Sequence, residues 1–491
     1  MINFKHLLIT LGLLLLPISE LLSQALSQER AIAFLKCLST NSPDILDFVA
    51  EDDLTISNRL GISYKGVQAK PLISWELTSF DKSKLQELGI DGQFKIEEID
   101  HQHSELILFP TDPKFTKRWI FRGDYSVSSV LYHTSTWHTK ESEHFRFLIS
   151  DTTRFHPANI ELLEASFTEI ARLLKFTPAD LLRIKKEKII YCFCNSQEEI
   201  KQLTGYAPRG MYILSHDIII STYSAHIHEL AHLLMNYKLQ NPSLFTHPLL
   251  LEGFAVAVGG RGGKTPEILN QLGLFLWKSE WVDMADFIAA QKFWGQNASI
   301  SYPGSGAYVK FLIQKMGIDA FIKLYSKYGG NQAEISSMGI ALADVPRRGT
   351  WKKYLKLSLE NDTVHPSDGY PESLEGSYAF KPTNGGQKYA FALPAKTLVY
   401  EADHQLEFSS DVFDELLPHQ SYTGAKYLIR SSESEIGVYD LYTNTMIGFY
   451  ASAFSTAGLK APSKQGIHSF QIDQDVFDID IENCIIEFVL E

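Results

Sequence analysis

The five residues from His228 to His232 constrain the fold of this 491-residue chain more than any other feature. They read H-E-L-A-H within an apolar segment, which predicts a buried helix. At about 100° per residue, the two imidazoles lie on one helix face, where both can reach a single cation. Glu229 lies one step around the helix, where its carboxylate can contact a water on that cation. The fold must therefore bring a third ligand to this helix.

Glu252, 20 residues after His232, is the candidate third ligand. It lies in the apolar run from Leu249 to Val258, which predicts a second helix. A carboxylate in such surroundings is costly unless its charge is compensated, and a zinc ion would compensate it. The alternative interpretation is that Glu252 lies at the exposed edge of its helix or pairs with a nearby arginine.

Together, these two segments resemble a known family. H-E-L-A-H followed 20 residues later by E-G-F-A, starting at Glu252, is similar to the gluzincin metallopeptidases, which include thermolysin-like and aminopeptidase N-like enzymes. The resemblance covers residues 140–330. It implies an α+β chain with a thermolysin- or aminopeptidase-like zincin catalytic domain, in which Zn²⁺ is held by His228, His232 and Glu252. It also implies hydrolysis of peptide bonds by a metal-activated water, with Glu229 as the general base.

The segment from Tyr302 to Leu312 extends the resemblance. It is similar to the aminopeptidase-type helix start, in which a tyrosine and a turn of small residues precede an apolar helix, predicted here from Gly304 to Met316. In that group the leading tyrosine hydrogen-bonds the tetrahedral intermediate, so the resemblance makes Tyr302 a candidate catalytic residue. The alternative is an ordinary packing tyrosine, and Tyr308 and His226 are weaker candidates for the same role.

Two features depart from the family pattern. No glycine-containing motif for binding the free amino end of a substrate precedes the active helix, so the sequence does not predict aminopeptidase specificity. Thermolysin-like enzymes carry an acidic residue four positions after the third ligand, and here that position is Val256. The group that orients His228 or His232 must therefore come from elsewhere in the chain.

Two neighbouring segments complete the predicted catalytic domain. Ile218 to Ile220 predicts a strand before the active helix, and we expect it to pair with an extended substrate as an edge strand does. Gly259 to Thr265 superficially resembles a phosphate-binding loop, but Val258 replaces its first glycine and the segment follows a helix instead of a strand. This segment predicts a flexible helix exit.

Five regions are predicted along the chain. A basic start, an apolar run and a small-residue cleavage site indicate a secretory signal peptide over residues 1–25, with an uncleaved membrane anchor as the alternative. The mature protein is therefore predicted to be secreted or periplasmic, with no stable membrane span after signal cleavage. The other regions are a small α+β domain (28–138), the metallopeptidase domain (139–360), a linker (361–390) and a β-rich domain (391–491).

Charge and cysteine content exclude other classes of protein. The chain carries 45 basic and 58 acidic residues, a net charge of −13, so nucleic acid is not expected as a partner. Residues 371–491 hold 18 acidic and 7 basic residues, a net charge of −11. Four cysteines cannot form a disulfide scaffold. Cys192 and Cys194 are predicted to be buried thiols, with a redox or metal pair as the alternative.

The sequence thus predicts a zinc hydrolase whose partner is a polypeptide substrate. One alternative is a catalytically inactive zincin-fold binding protein. The presence of Glu229 beside the ligand candidates argues against it, because binding alone does not need that carboxylate. The second alternative is a zinc hydrolase that acts on a non-peptide component of the cell envelope. The sequence favours no particular oligomeric state.

Overall fold

The structure, a computed structural model, describes most of the first 361 residues. Beyond residue 361 it describes the backbone of strands between residues 378 and 490. Except for Ala25, the predicted signal peptide lies outside the described residues, as does most of the predicted linker. The described part of the first 361 residues runs from 25 to 361 without 58, 66–76, 78, 113–114, 156–157, 262–265, 267–268, 271–272, 275–276, 278–281 and 297.

The described residues form a mixed α+β fold, as the sequence predicts at this coarse level. The helices are α1 (Gln28–Thr40), α2 (Glu51–Ser57), α3 (Ser79–Leu88), α4 (Ser129–Thr134), α5 (Ala158–Leu173), α6 (Pro178–Glu187), α7 (Gln197–Thr204), α8 (Ile227–Leu239), α9 (Pro248–Gly259), α10 (Met284–Phe287), α11 (Ala290–Gly295), α12 (Ala298–Met316), α13 (Ile318–Lys327), α14 (Gln332–Ser337) and α15 (Arg348–Asn361). Short 3₁₀ helices cover Pro43–Phe48, Thr152–Arg154 and Leu342–Asp344.

The strands before residue 331 are β1 (Phe94–Glu98), β2 (His103–Leu108), β3 (Lys117–Arg122), β4 (Tyr125–Val127), β5 (His138–Glu141), β6 (Phe145–Ile149), β7 (Ile189–Phe193), β8 (Gly210–Ile213), β9 (Ile218–Ser221), β10 (Phe245–Thr246) and β11 (Gly329–Gly330). Those after residue 377 are β12 (Tyr378–Ala379), β13 (Gln387–Ala392), β14 (Leu398–Ala402), β15 (Tyr427–Ser431), β16 (Glu435–Asp440), β17 (Thr445–Ala451), β18 (Ile467–Ile472), β19 (Asp475–Asp480) and β20 (Ile485–Leu490).

The N-terminal part combines helix α1 with an antiparallel sheet in the order β1-β2-β3-β4. The side chain of Ser27 caps α1 by accepting a hydrogen bond from the backbone N–H of Arg30. On the buried face of the helix, the ring of Phe34 packs edge-on against Trp119 and Phe121 of β3. Helix and sheet therefore share one apolar core.

The sheet that supports the site has the order β5-β6-β7-β9-β8. Strands β6, β7 and β9 are parallel, and β5 and β8 join the two outer sides antiparallel. The side chains of β7 and β9 are buried on both faces, because one face packs against α5 and α8 and the other against α4 and α7. Cys192 and Cys194 are free thiols in the second of these cores, so the prediction that they are buried is confirmed.

The prediction that Ile218–Ile220 is an edge strand is wrong. These residues lie in β9, which is hydrogen-bonded to β7 on one side and to β8 on the other, so its backbone has no free edge. Among the described strands, the edge on this side of the sheet is β8. Sequence patterns did not predict β8, because its run G-M-Y-I is short and begins with a glycine.

Helix α9 packs against both α8 and α12. A Cβ atom at Gly253 would lie 2.9 Å from the carbonyl oxygen of Ser305, and one at Gly306 would collide with Val256, so α9 and α12 approach closely. The helix predicted from Gly304 begins instead at Ala298, and Tyr302 lies within α12 instead of before it. The small residues that suggested a turn provide this close helix contact.

The described strands after residue 377 form two sheets, in the orders β12-β17-β16-β15-β14 and β13-β20-β19-β18. Strands β14 to β20 fall within residues 391–491, which are predicted to be β-rich, whereas β12 and the first four residues of β13 fall within the predicted linker. Within the described residues, no helix combines the length and the hydropathy that crossing a bilayer requires.

Candidate metal centre

Helix α8 carries His228 and His232 in its first two turns, shortly after strand β9. The chain enters the helix through His226, whose backbone N–H donates a hydrogen bond of 2.8 Å to the hydroxyl of Tyr191 on β7. That hydroxyl donates to the carbonyl oxygen of Tyr223 at 2.6 Å. Because Tyr191 is fully buried, these bonds fix the start of the helix against the middle of the sheet.

The start of α9 is set by His247 and Pro248. The buried His247 ring accepts a hydrogen bond from the backbone N–H of Leu249 at 3.2 Å and donates to the carbonyl oxygen of Ile288 at 3.0 Å. Burial lowers the pKa of His247 to about 4, so the ring stays neutral and keeps both bonds. Pro248 suits the first helical turn, where a missing N–H costs nothing. Glu252 follows one turn later in this fixed helix.

The structure brings the three ligand candidates together. One ligand atom from each of His228, His232 and Glu252 lies within 4.8 Å of the other two. The two Nε2 atoms are 3.2 Å apart, and Glu252 Oε2 lies 3.2 Å from His228 Nε2 and 3.7 Å from His232 Nε2. The Glu252 side chain is 11% exposed and faces the two imidazoles. It is therefore not at an exposed helix edge, and within the described residues its ion pairs are with the two histidines and not with an arginine.

The electrostatics of the cluster favour a positive charge between the imidazoles. Burial acts to raise the pKa of Glu252, but the hydrogen bonds and charges of His228 and His232 outweigh it and hold this pKa well below its usual range. Burial acts to lower the pKa of His232, but the hydrogen bond to Glu252 and its charge raise it above the usual value. Glu252 is thus an anion at neutral pH, and either a protonated His232 or a metal ion can balance its charge.

A backbone carbonyl orients the ring of His228. Its Nδ1 lies 2.8 Å from the carbonyl oxygen of Gly260, which can only accept, so Nδ1 carries the proton and donates it. The lone pair of Nε2 then faces His232 and Glu252. The sequence predicts that the group orienting a histidine ligand lies elsewhere than at Val256, and for His228 this group is the Gly260 carbonyl. Nδ1 of His232 has no hydrogen-bond partner within the described part of the chain.

The two glycines at the end of α9 make this arrangement possible. Gly260 has φ 72° and ψ −160°, a conformation that is open essentially to glycine alone. A Cβ atom on Gly259 would lie 2.6 Å from the carbonyl oxygen of Ile227 and 2.7 Å from the backbone nitrogen of His228. Gly259 and Gly260, which begin the stretch that superficially resembles a phosphate loop, therefore pack the end of α9 onto the start of α8. Residues 262–265 of that stretch, where a flexible helix exit is predicted, lie outside the described residues.

A cleft of about 600 Å³ contains the cluster in its lining. This volume falls within the range of about 300–1,000 Å³ that small-molecule and cofactor sites usually have. The half-buried Glu229 also lines the cleft. Its carboxylate makes no hydrogen bond or ion pair with the residues that the structure describes, so it is available to a molecule bound in the cleft.

Tyr302 lies in the same cleft beside the first histidine. Its ring stacks on that of His228 with 6.2 Å between the centroids. Burial and the neighbouring carboxylate of Glu252 raise the pKa of Tyr302, so its hydroxyl keeps its proton and can donate a hydrogen bond.

The two weaker candidates lie in different surroundings. His226 lines the cleft, and burial together with its histidine neighbours holds its pKa well below the usual value, so the ring is neutral. Tyr308 is fully buried, and its ring packs against Trp277 and Trp351. The structure therefore does not bring Tyr308 to the cleft.

A hydrogen-bond network ties the edge strand β8 to helix α8. The hydroxyl of Tyr212 on β8 donates to Asp217 Oδ1 at 2.6 Å and lies 3.0 Å from the hydroxyl of Tyr64. Nδ2 of Asn236 on α8 donates to the same Tyr64 hydroxyl at 3.5 Å, and Arg59 donates to the carbonyl oxygen of Asp217 at 2.8 Å. The network fixes the strand relative to the helix that carries the cluster.

Sequence patterns missed three residues that position the site, namely Gly260, His247 and Tyr212. The His-Pro pair before the apolar run is a signal for a helix start, and the paired glycines after it are a signal for a constrained helix end. No comparable signal links Tyr212 with Tyr64, which are 148 residues apart.

Comparisons of the chain with protein-family models, with curated proteins and with solved structures found no match.

Proposed function

We propose that this chain is an exported, zinc-dependent metallopeptidase with a gluzincin-like catalytic domain. One observation carries the proposal: ligand atoms of His228, His232 and Glu252 converge within the cleft that Glu229 also lines. Metal ligands in one cleft with a carboxylate that has no hydrogen-bond partner among the described residues support hydrolysis by an activated water over metal storage or a structural metal role.

The residues present fit zinc. Two imidazole nitrogens and one carboxylate oxygen form a donor set that catalytic zinc sites use with a fourth position open. Zinc–ligand distances of about 2.0–2.2 Å in a tetrahedron put neighbouring donors roughly 3.3–3.6 Å apart. The 3.2, 3.2 and 3.7 Å separations of the three atoms are close to that range. The protonated Nδ1 of His228 also leaves its Nε2 free to bind an ion.

The chain's own residues divide the catalytic work. Bound zinc would polarise the substrate carbonyl and activate a water in the open position. Glu229 takes the proton of the attacking water and then gives it to the leaving amine. Tyr302, whose raised pKa keeps its hydroxyl protonated, donates a hydrogen bond to the developing oxyanion. The burial of His228 and Glu252 strengthens the charge interactions at the ligand cluster, because the dielectric constant is lower there than in water.

The edge strand β8 favours a polypeptide as the substrate. Gly210, Met211 and Tyr212 of this strand line the same cleft as the metal cluster. Because β8 is hydrogen-bonded only to β9 among the described strands, its outer edge can pair with an extended peptide. The network through Tyr212 holds that edge at a fixed distance from the cluster. A non-peptide substrate from the cell envelope would not need such an edge.

Cleavage of unfolded casein by the purified mature protein tests the proposal. With one equivalent of zinc we expect cleavage, which a zinc chelator stops and added zinc restores. Binding of zinc without any cleavage of unfolded protein would instead support the inactive binding protein. Zinc-dependent hydrolysis of a cell-envelope preparation without cleavage of casein would support the non-peptide hydrolase.

Gly260→Ala is expected to weaken zinc binding by about 10–100-fold, the usual effect of losing a group that orients a metal-bound histidine. The added Cβ is incompatible with φ 72° and ψ −160°, so the carbonyl shifts away from His228. Zinc affinity is measured by competition with a chromophoric chelator. Gly317→Ala is the matched control, because Gly317 also has a positive φ (78°) but lies outside the cleft, with open space where a Cβ would be. Equal zinc affinities of Gly260→Ala and the wild type would show that this carbonyl does not orient His228.

A further inference from the structure

Two arginines line the cleft beside the metal cluster. They are Arg209 and Arg261, and both are half-buried. Among the described lining residues, the carboxylates are Glu229 and Glu252, which the proposed reaction already uses. The rest of this lining is therefore cationic or neutral, although the whole chain carries a net charge of −13.

Arg261 is held close to the cluster by its neighbours. It directly follows Gly260, whose carbonyl oxygen binds His228. Its guanidinium carbon lies 4.5 Å from the centroid of the Tyr302 ring, which is itself stacked on His228. A guanidinium on an aromatic face keeps its planar N–H donors in a fixed direction.

Arg209 lies directly before the first residue of the edge strand β8. Its carbonyl oxygen accepts a hydrogen bond from the backbone N–H of Thr222 at 2.8 Å. Its guanidinium donates to the hydroxyl of Tyr223 at 3.4 Å. This second cation therefore lies where a peptide paired with β8 would begin or end.

We infer that the cleft selects peptides that carry a carboxylate near the scissile bond, with Arg261 as its main binding residue. This inference rests on the proposed function, and it names the substrate class of that site. Arg261 lines the same cleft as the metal cluster and is separated from His228 by the Tyr302 ring. Because an extended residue spans about 3.3–3.6 Å, we place the carboxylate one to three residues from the scissile carbonyl. Arginine binds a carboxylate with two parallel N–H···O bonds. The carboxylate belongs either to an acidic side chain or to a free C-terminus.

The lining also argues against recognition of a free amino end. An ammonium group needs a carboxylate partner in a cleft of this kind. Within the described lining, both carboxylates face the metal site or the attacking water. The arrangement therefore suits cleavage inside acidic segments or near the C-terminus of a peptide, and not removal of N-terminal residues.

Peptide binding to zinc-loaded Glu229→Gln protein tests this inference without turnover. Three fluorescent hexapeptides of one sequence are compared: a blocked peptide with glutamine after the scissile bond, the same peptide with glutamate there, and the glutamine peptide with a free C-terminal carboxylate. We expect at least one carboxylate peptide to bind about 10–100-fold more tightly than the blocked neutral peptide, with a preference that weakens as salt is added. The peptide that gains affinity identifies the source of the carboxylate.

Variants of Arg261 assign the preference to its side chain. In the Glu229→Gln protein, the further substitution Arg261→Gln is expected to abolish the preference for carboxylate peptides. Arg261→Lys is expected to retain part of this preference, because lysine keeps the charge but lacks the planar guanidinium. Arg118→Gln, on strand β3 and outside the cleft lining, is the control and should leave the preference unchanged. Arg209→Gln shows whether the second cation contributes.

Two results would overturn the inference. One is equal affinity for the three peptides, and the other is a carboxylate preference that persists in Arg261→Gln, which would place the carboxylate on the metal or on Arg209. These results are distinct from failure of the proposed function. Zinc-dependent cleavage of all peptides regardless of charge would leave the peptidase intact and remove only this inference. A carboxylate preference in a protein that cleaves no peptide would support this inference and contradict the proposed function.

Discussion

Glu229→Gln is expected to lower kcat by about 10²–10⁴-fold, while the protein keeps its one equivalent of zinc. Glutamine has nearly the same shape as glutamate but cannot take a proton from the attacking water. The side chain makes no hydrogen bond or ion pair with the described residues and is half-buried, so its replacement should leave the fold and the three ligands undisturbed. Initial rates on a fluorogenic peptide and metal analysis of the same sample measure both quantities.

The matched control for this variant is Glu169→Gln. Glu169 is an exposed carboxylate on α5, the helix that packs against α8, so the same change of charge is made outside the cleft. We expect wild-type rates and zinc content for the control. Full activity of Glu229→Gln would contradict the proposed role of this carboxylate, even if zinc were present at the site.

Removal of a ligand is expected to remove the metal itself. His232→Ala deletes one imidazole, and Glu252→Gln replaces the buried anion with a neutral amide. Loss of a hydrogen-bond partner of a metal ligand typically weakens metal affinity by about 10–100-fold. We expect each of these two changes, which remove a ligand itself, to weaken zinc affinity by more than that. Metal analysis after dialysis should then find far less than one equivalent. In parallel, zinc at about 100 times its Kd should stabilise the wild type by about 2.7 kcal/mol and neither variant by a comparable amount.

His138→Ala controls for the loss of a histidine at an exposed position, on strand β5. It should bind one equivalent of zinc and gain the same thermal stabilisation as the wild type. A Glu252→Gln protein that keeps one equivalent of zinc with wild-type affinity would show that the carboxylate is not a ligand. The proposed donor set would then be incomplete.

The part of the site that lies within one helix could be predicted from the sequence. The side chains of His228 and His232 share a helix face because of the helix period alone, and the apolar residues around them require burial. Glu252 could also be selected, because a carboxylate inside an apolar helix needs a compensating charge. Its distance from the imidazoles depends on how α9 packs against α8, and Gly259 is the residue that allows that contact.

Contacts between distant segments could not be predicted in the same way. The central position of β9 follows from its pairing with both β7 and β8, and a run of isoleucines does not distinguish a central strand from an edge strand. The start of α12 at Ala298 was missed because the small residues after Tyr302, which resemble a turn, pack against α9. The contribution of Gly260 is made by a main-chain oxygen, which leaves no side-chain signal beyond the glycine itself.

The most direct test of the central claim is anomalous diffraction at the zinc absorption edge from crystals of the zinc-loaded protein. We predict one strong peak about 2.0–2.2 Å from Nε2 of His228, Nε2 of His232 and a carboxylate oxygen of Glu252. Crystals that contain zinc but show no peak between these three atoms would contradict the account.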